Sequence, residues 1–177
     1  MKMSNVKYYS APALVAAILL VTISCQRQDS KSATEEGENG LIGQWRATVQ
    51  FSSGAFSTTK DLEFMFVFND GGTLLESSNY DAAPPVPPAY GIWRQLAQNK
   101  YEARYEYFST RAPLPSEGQF QNSGWLPAGR GVFTDTITLA QNGATFISNM
   151  HFVMYDHAGR MIEGGGDAYG AGVKLGY

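Results

Sequence analysis

Apolar and polar residues alternate with a period of two along most of the chain from residue 41 onward. In the clearest run, Phe64, Phe66 and Phe68 share one face and Glu63 lies on the other. This period is typical of strands with one buried face. With the segment around residues 91–94, the sequence predicts about eight strands and no helix of useful length. The alternating runs are 45–51, 62–68, 73–77, 101–107, 133–139, 146–154 and 160–174.

Turn-forming residues separate these runs. The segments 69–72 (Asn-Asp-Gly-Gly) and 141–143 (Gln-Asn-Gly) favour tight hairpins, because Asn, Asp and Gly tolerate positive φ. The proline-rich segment 83–89 cannot donate a ladder of hydrogen bonds and is predicted to be a loop. Residues 109–128, with three prolines, are predicted to form a longer loop. Two long loops on an otherwise tightly connected meander predict a mouth.

Consecutive hairpins favour a closed, up-and-down antiparallel β-barrel over a sandwich with crossing connections. The predicted fold is therefore all-β, with roughly eight strands and the apolar faces inside. A barrel of this size is filled by its own side chains or holds one small ligand, and the sequence leaves both possibilities open. The reversed arrangement, a transmembrane barrel with outward apolar faces, is the alternative.

The first 25 residues have the layout of an export signal. Lys2 and Lys7 precede a short apolar run, and Cys25, the sole cysteine, follows it. This ending resembles the lipobox of bacterial lipoproteins, although Thr22 stands where an aliphatic residue is usual. The resemblance implies cleavage before Cys25 and acylation of its thiol. Residues 1–24 are then a signal peptide, 25–40 a polar tether, and 41–177 the barrel domain.

Composition and charge narrow the class of partner. After removal of residues 1–24 the chain carries 11 basic and 16 acidic residues, a net charge of about −5. This mildly acidic balance gives no electrostatic case for binding nucleic acid. We expect a monomer held at the membrane by its lipid anchor. Gln26 is not the Asp associated with inner-membrane retention in lipoproteins, which by resemblance favours the outer membrane, with the domain facing the periplasm or the surface.

Four short motifs follow one another along the chain: Gly43-Gln44-Trp45-Arg46, Gly71-Gly72-Thr73-Leu74-Leu75-Glu76, Gly91-Ile92-Trp93-Arg94 and Asp156-His157-Ala158-Gly159. Their order resembles that of bacterial lipocalin-like proteins and the wider calycin group. The resemblance implies a barrel whose closed end is plugged by Trp45. Lipocalins usually stack an arginine on this tryptophan. Lys174 is the residue available for that role here. The resemblance covers residues 41–170 and says little about function.

The predicted interior supplies the candidate ligand-binding residues. Asp135 shares the apolar face of Phe133 and Ile137, so its carboxyl would orient a ligand or act as an acid–base group. Alternatively, a bulge at Gly131 turns it outward, or it pairs with Arg130 or Lys174. The candidates that line the interior are Phe64, Phe66, Phe68, Trp93, Tyr105, Tyr107, Asp135, Met150 and Phe152.

Other chemistry has little support in the sequence. His151 and His157 have no cysteine or suitably spaced second ligand, so neither a metal site nor another cofactor is predicted. No nucleophile motif of a hydrolase is present. The leading hypothesis is a lipid-anchored, lipocalin-like carrier of a small hydrophobic molecule. A calycin-type isomerase or cyclase of a lipid-like substrate and a ligand-free interaction module of the envelope are the alternatives.

The lipobox interpretation makes a direct prediction. Cys25→Ser should leave the precursor uncleaved or release the protein from the membrane, because the acylated thiol is lost. Metabolic labelling with palmitate, followed by membrane fractionation, measures this. Label still entering the Cys25→Ser variant would contradict acylation at Cys25.

Overall fold

The computed structural model describes residues 40–80, 86–120 and 124–176. The predicted signal peptide, Cys25 and almost all of the predicted tether lie outside the described residues, as does part of the proline-rich loop. The described residues all belong to one compact unit. Among the described residues, no helix is long and apolar enough to cross a membrane.

Eight strands make up nearly all of the regular structure, which confirms the all-β prediction. The sole helical element described is a short 3-10 helix, Pro115–Phe120. The strands are β1 (Gly43–Phe51), β2 (Leu62–Phe68), β3 (Thr73–Ser78), β4 (Ala89–Ala97), β5 (Lys100–Arg111), β6 (Leu126–Leu139), β7 (Thr145–Asp156) and β8 (Met161–Lys174).

Each strand pairs antiparallel with the next, and β1 pairs with β8, which closes the barrel. The closing register runs from Trp45 opposite Lys174 to Phe51 opposite Ala168. The up-and-down barrel is thus confirmed, and the sandwich is not formed. The large apolar faces point inward, with Phe66 at 1% exposure, so the reversed arrangement is not the one observed.

The loop predicted over residues 109–128 is shorter in the structure, because both flanking strands extend into it. β5 continues to Arg111 and β6 begins at Leu126, so the connection spans residues 112–125. Pro127 is tolerated inside β6 because the pairing shifts register between Ser109 and Thr110 on the facing strand. Proline lacks an N–H group, and an irregular point in the ladder is where its absence costs least.

The connections divide the barrel into two different ends. At the end where β1 finishes, which we call the mouth end, the connections span residues 52–61, 79–88 and 112–125, together with one short turn. At the opposite, closed end, the connections are the short turns 69–72, 98–99 and 140–144. The mouth predicted from two long loops is thus built by three.

Trp45 lies at the closed end with no exposed surface. Its indole Nε1 donates a hydrogen bond of 2.8 Å to the carbonyl of Leu41, and its ring packs 5.1 Å from that of Phe146. The Lys174 ammonium lies 5.4 Å from the indole centroid and donates to the carbonyl of Gly40. Lys174 therefore takes the place that the resemblance gives to an arginine, as a cation over the aromatic face.

Aromatic rings fill the middle of the barrel. Phe133 stacks on Phe152 at 4.4 Å and on Tyr105 at 4.9 Å, and these rings continue to further aromatic side chains on both sides. Inward glycines on neighbouring strands leave the space that the rings need. A Cβ at Gly131 would collide with the Tyr107 ring, and one at Gly172 with the Phe146 ring. Large and small residues thus alternate between facing strands, which gives a filled core.

Replacement of Trp45 by alanine should lower the free energy of unfolding by about 3–5 kcal/mol, as expected for a fully buried large aromatic residue. Chemical denaturation followed by circular dichroism measures this. Trp125→Ala is the control, because Trp125 is 41% exposed and should cost far less. A loss below about 1 kcal/mol for Trp45→Ala would mean that Trp45 does not hold the closed end together.

Candidate functional site

A small cavity lies inside the barrel just below the mouth. It measures about 40 Å³, and the space between the same side chains reaches about 390 Å³ when its solvent-open part is included. The enclosed part holds at most a few water molecules. Ten residues from five strands and two loops line it: Phe51, Phe56, Leu62, Phe64, Glu76, Ser78, Tyr80, Val86, Tyr107 and Phe133.

Two rings from the long connections narrow the entrance to this cavity. Phe56, from residues 52–61, packs edge-to-face against Tyr80, from residues 79–88, with centroids 5.2 Å apart. Phe56 also contacts Phe51 on β1 and Phe152 on β7. Both entrance rings are only partly buried. They are carried by connections and not by paired strands, so they are the part of the lining least constrained by the barrel.

Glu76 is the carboxylic acid among the residues that line the cavity. It lies on β3 opposite Phe66 and Ala89, points inward, and is 6% exposed. Burial raises the pKa of its carboxyl to about 8. Its Oε1 atom is buried and has no hydrogen-bond partner among the described residues. A buried polar atom without a partner is rare in native proteins and calls for a functional or structural reason.

Glu76 was not among the predicted site residues, although the sequence holds the signal for it. In the run 73–77, Leu74 and Glu76 have the same parity, so an inward Leu74 implies an inward Glu76. The motif that ends at Glu76 indicates a hairpin and does not by itself indicate which way Glu76 points. In the structure, inward and outward residues alternate along β3, and Leu74 and Glu76 are both buried.

Asp135 is a second inward carboxyl, deeper than Glu76 and outside the cavity lining. It lies opposite Ala103 on β5 and Met150 on β7, and it has no exposed surface. Burial raises its pKa to about 7, and the Ser148 hydroxyl lowers it by a smaller amount. Neither Asp135 oxygen has a partner with good hydrogen-bond geometry. Ser148 is therefore a polar neighbour and not a full hydrogen-bond donor.

The alternatives that turn Asp135 outward or pair it with a cation are wrong. The register of β6 with β7 is continuous from Gly129 to Leu139, so no bulge at Gly131 reverses the face. Arg130 instead pairs with Glu106 at 3.3 Å and lies over the Tyr155 ring. The Lys174 ammonium is engaged at the closed end, with Trp45 and the Gly40 carbonyl.

Two tyrosines complete the interior polar groups. Burial, and to a smaller extent the negative charges of Asp135 and Glu76, raise the pKa of the Tyr105 hydroxyl well above its ordinary value. Burial, and to a smaller extent the negative charge of Glu76, raise the pKa of the Tyr107 hydroxyl to about 12. The Tyr105 hydroxyl lies 3.9 Å from the Met150 sulfur. Both phenols therefore stay neutral at physiological pH, and among the described residues no basic side chain is buried beside them.

The predicted interior residues divide between the cavity and the filled core. Phe64 and Tyr107 line the cavity. Five others are buried in the packed interior: Phe66, Phe68, Tyr105, Met150 and Phe152. Trp93 is partly buried towards the closed end, where its Nε1 donates to the carbonyl of Asn69. Three cavity residues that the sequence did not single out, Phe56, Tyr80 and Val86, lie in loops, where periodicity gives no signal.

The histidines lie away from this site. His151 is exposed on the outer wall, where its Nδ1 lies 2.7 Å from an oxygen of Asp167. His157 lies in the exposed turn between β7 and β8. Within residues 40–80, 86–120 and 124–176, no group of three His, Cys, Asp or Glu side chains could hold a metal ion.

The site combines a mostly apolar wall with a few polar groups. Its walls are mostly aromatic, and Glu76 and two phenols are the polar contacts near the mouth. This combination of apolar surface and few polar groups is usual in small-molecule sites. The arrangement is compatible with ligand binding, and the eight-stranded antiparallel barrel is consistent with the calycin fold.

Comparisons of this chain with protein-family models, with curated proteins and with solved structures gave no match. The fold and the cavity geometry therefore carry the functional argument.

The two raised carboxyl pKa values predict how stability depends on pH. The folded protein holds protons on Glu76 and Asp135 up to about pH 8 and about pH 7, whereas the unfolded chain loses them near 4.5 and 3.8. Their contribution is therefore fully present below about pH 4 and is lost as the pH rises to about 8, by on the order of a few kcal/mol.

Denaturation measured between pH 4.5 and pH 8.5 tests this. Glu76→Gln should flatten the decline, because the amide cannot ionise. Glu163→Gln on the exposed part of β8 is the control and should keep the wild-type slope. A wild-type stability that rises across this range would contradict the raised pKa values.

Proposed function

We propose that this protein is a lipid-anchored, lipocalin-like binding protein of the bacterial envelope, which takes a small hydrophobic ligand at the mouth end of its barrel. The observation that supports this most is the cavity below the mouth, with its aromatic walls and the unpartnered Oε1 of Glu76. An interior filled only for stability would gain more from an apolar residue at this position.

The proposed ligand occupies the upper part of the barrel only. The rings of Tyr105, Phe133 and Phe152 form a packed floor below the cavity. The enclosed volume of about 40 Å³ is far smaller than the roughly 300–1,000 Å³ of typical small-molecule sites. Binding therefore requires the entrance rings of Phe56 and Tyr80 to move outward. Affinity comes mainly from the apolar surface that the ligand buries, at about 25 cal/mol per Å².

The location of the protein rests on its N-terminal sequence. Acylation at Cys25 would anchor it, and the polar segment that follows would tether the domain to the lipid. We propose the outer membrane as the site of anchoring, in view of Gln26, with a monomer exposed to the periplasm or the surface. A carrier there would exchange its ligand with the surrounding membranes.

The filled interior also favours a second candidate, an envelope interaction module without a ligand. The outer wall carries apolar side chains that such a module could use, among them Tyr90, Ile92 and Phe108 at 62%, 65% and 77% exposure. The third hypothesis, an isomerase or cyclase built on Asp135, would need a route to a carboxyl that the cavity does not reach.

Two variants on β3 test the binding function. Ser78 lines the cavity, whereas Ser77 is exposed on the opposite face of the same strand. Ser78→Trp should therefore abolish binding by filling the cavity, and Ser77→Trp should leave it intact. Binding is measured with the hydrophobic fluorophore N-phenyl-1-naphthylamine on residues 26–177, which contain the whole compact unit.

Native mass spectrometry of the same chain, purified from the periplasm of its source organism, then identifies what co-purifies. A near-stoichiometric small molecule supports the carrier. Absence of fluorophore binding in the wild-type chain, together with an empty mass spectrum, would contradict the carrier and favour the interaction module.

A further inference from the structure

The residues that line the cavity favour some polar groups on a ligand over others. Six of the ten lining residues are aromatic, one is a carboxylic acid, and none is basic. The faces of aromatic rings carry partial negative charge and attract cations within about 6 Å of the ring centre. An anionic group would meet these faces and the Glu76 oxygens with nothing to neutralise it.

Among the described residues, no basic side chain is buried in the barrel near the cavity. The buried polar side chains among the described residues are Glu76, Asp135 and Ser148. Basic side chains of the neighbouring strands form ion pairs on the outer wall, such as Arg94 with Glu102 and Arg130 with Glu106. The positive partner that a buried carboxylate requires is therefore absent from the part of the chain that the structure describes.

Three titratable groups lie close to Glu76: Tyr80 from the loop after β3, and Tyr105 and Tyr107 from β5. Asp135 on β6 is a further interior titratable group, beside Tyr105. None of them becomes positively charged in any protonation state. The free protein therefore meets the cost of burying Glu76 by keeping the carboxyl protonated. A bound cation would offset the cost of burying Glu76 in another way, because it would pair with the ionised carboxylate.

From this geometry, and resting on the proposed function, we propose that the ligand of the mouth-end cavity is a small amine in its ammonium form, with the Glu76 carboxylate as its counter-ion and the surrounding aromatic rings as its walls. The apolar body of the amine replaces the contacts that Phe56 and Tyr80 make across the entrance. No covalent bond forms in this step.

Binding of the ammonium ion is coupled to the release of a proton. The protonated Glu76 carboxyl loses its proton to the buffer, and the carboxylate that remains pairs with the incoming R–NH₃⁺ group. Charge and protons balance, because one positive charge enters the cavity and one leaves it. Since a primary alkylamine stays protonated up to about pH 10, this release occurs below the pKa of Glu76 and disappears above it.

Isothermal titration calorimetry with three ligands of similar size tests the proposal on the mature, acylated chain in lipid nanodiscs. The ligands are phenethylamine, the neutral 2-phenylethanol and the anionic 3-phenylpropionate, each also titrated into empty nanodiscs. We expect phenethylamine to bind about tenfold or more tightly than 2-phenylethanol, and 3-phenylpropionate to bind most weakly.

Proton release provides a readout that needs no variant. At pH 6.5, the heat of phenethylamine binding should vary with the ionisation enthalpy of the buffer and report release of about one proton, and at pH 9 this dependence should vanish. Glu76→Gln should remove both the preference for the amine and the proton release, while 2-phenylethanol still binds. Glu63→Gln, on the exposed face of β2, should behave as the wild type.

The outcomes separate this inference from the proposed function. Equal binding of phenethylamine and 2-phenylethanol, or tighter binding of the amine without proton release at pH 6.5, would overturn the amine assignment and leave a neutral-ligand carrier. Binding of none of the three ligands in the wild type would count against both the cavity as a ligand site and the amine.

Discussion

A closed barrel of eight strands has an interior that side chains must fill, and in this protein aromatic rings fill it. The stack of Tyr105, Phe133 and Phe152 brings rings from three strands into contact across the middle of the barrel. The rings fit because facing strands carry glycine or alanine where a larger residue would collide, as at Gly131 and Gly172. This pairing of large with small residues fixes the register of the strands, since a slip of one residue would reverse every inward face.

The same filled interior gives the two inward carboxyls their unusual character. Deep aromatic packing excludes water and leaves Glu76 and Asp135 without a cation, so the neutral form of each is favoured. Their positions then separate their roles. Asp135 lies in the sealed part of the barrel, whereas Glu76 lines the cavity that opens towards the mouth. A carboxyl at an entrance can exchange its proton for a ligand, and a sealed one cannot.

The asymmetry of the ends follows from the connections. Short turns draw the strands together around Trp45 and its lysine cap at the closed end. Long connections at the other end carry Phe56 and Tyr80 over the cavity, and their rings contact each other without being held in the sheet. The closed end is thus built from tightly connected strands, whereas the mouth is lined by side chains from long connections.

Much of this fold could be predicted from the sequence because strand alternation is a local signal. The runs containing Phe64 and Tyr105 predicted their strands and inward faces, and Asp135 followed from the same parity. Glu76 was missed although its parity with Leu74 pointed inward. The extension of β6 across Pro127 depends on a register shift in the partner strand, and the balance between cavity and filled core depends on how rings pack, so neither has a signal in local sequence.

A neutral acid faces the mouth of the barrel, and among the described residues no basic side chain is buried beside it. Carbon-13 NMR titration of the side-chain carboxyl carbons of Glu76 and Asp135, in protein without ligand, tests it directly. We expect apparent pKa values of about 8 for Glu76 and about 7 for Asp135. Titration of both carboxyls near their ordinary values, about 4, would contradict it, because carboxylates that ionise so readily must have water or a cation beside them.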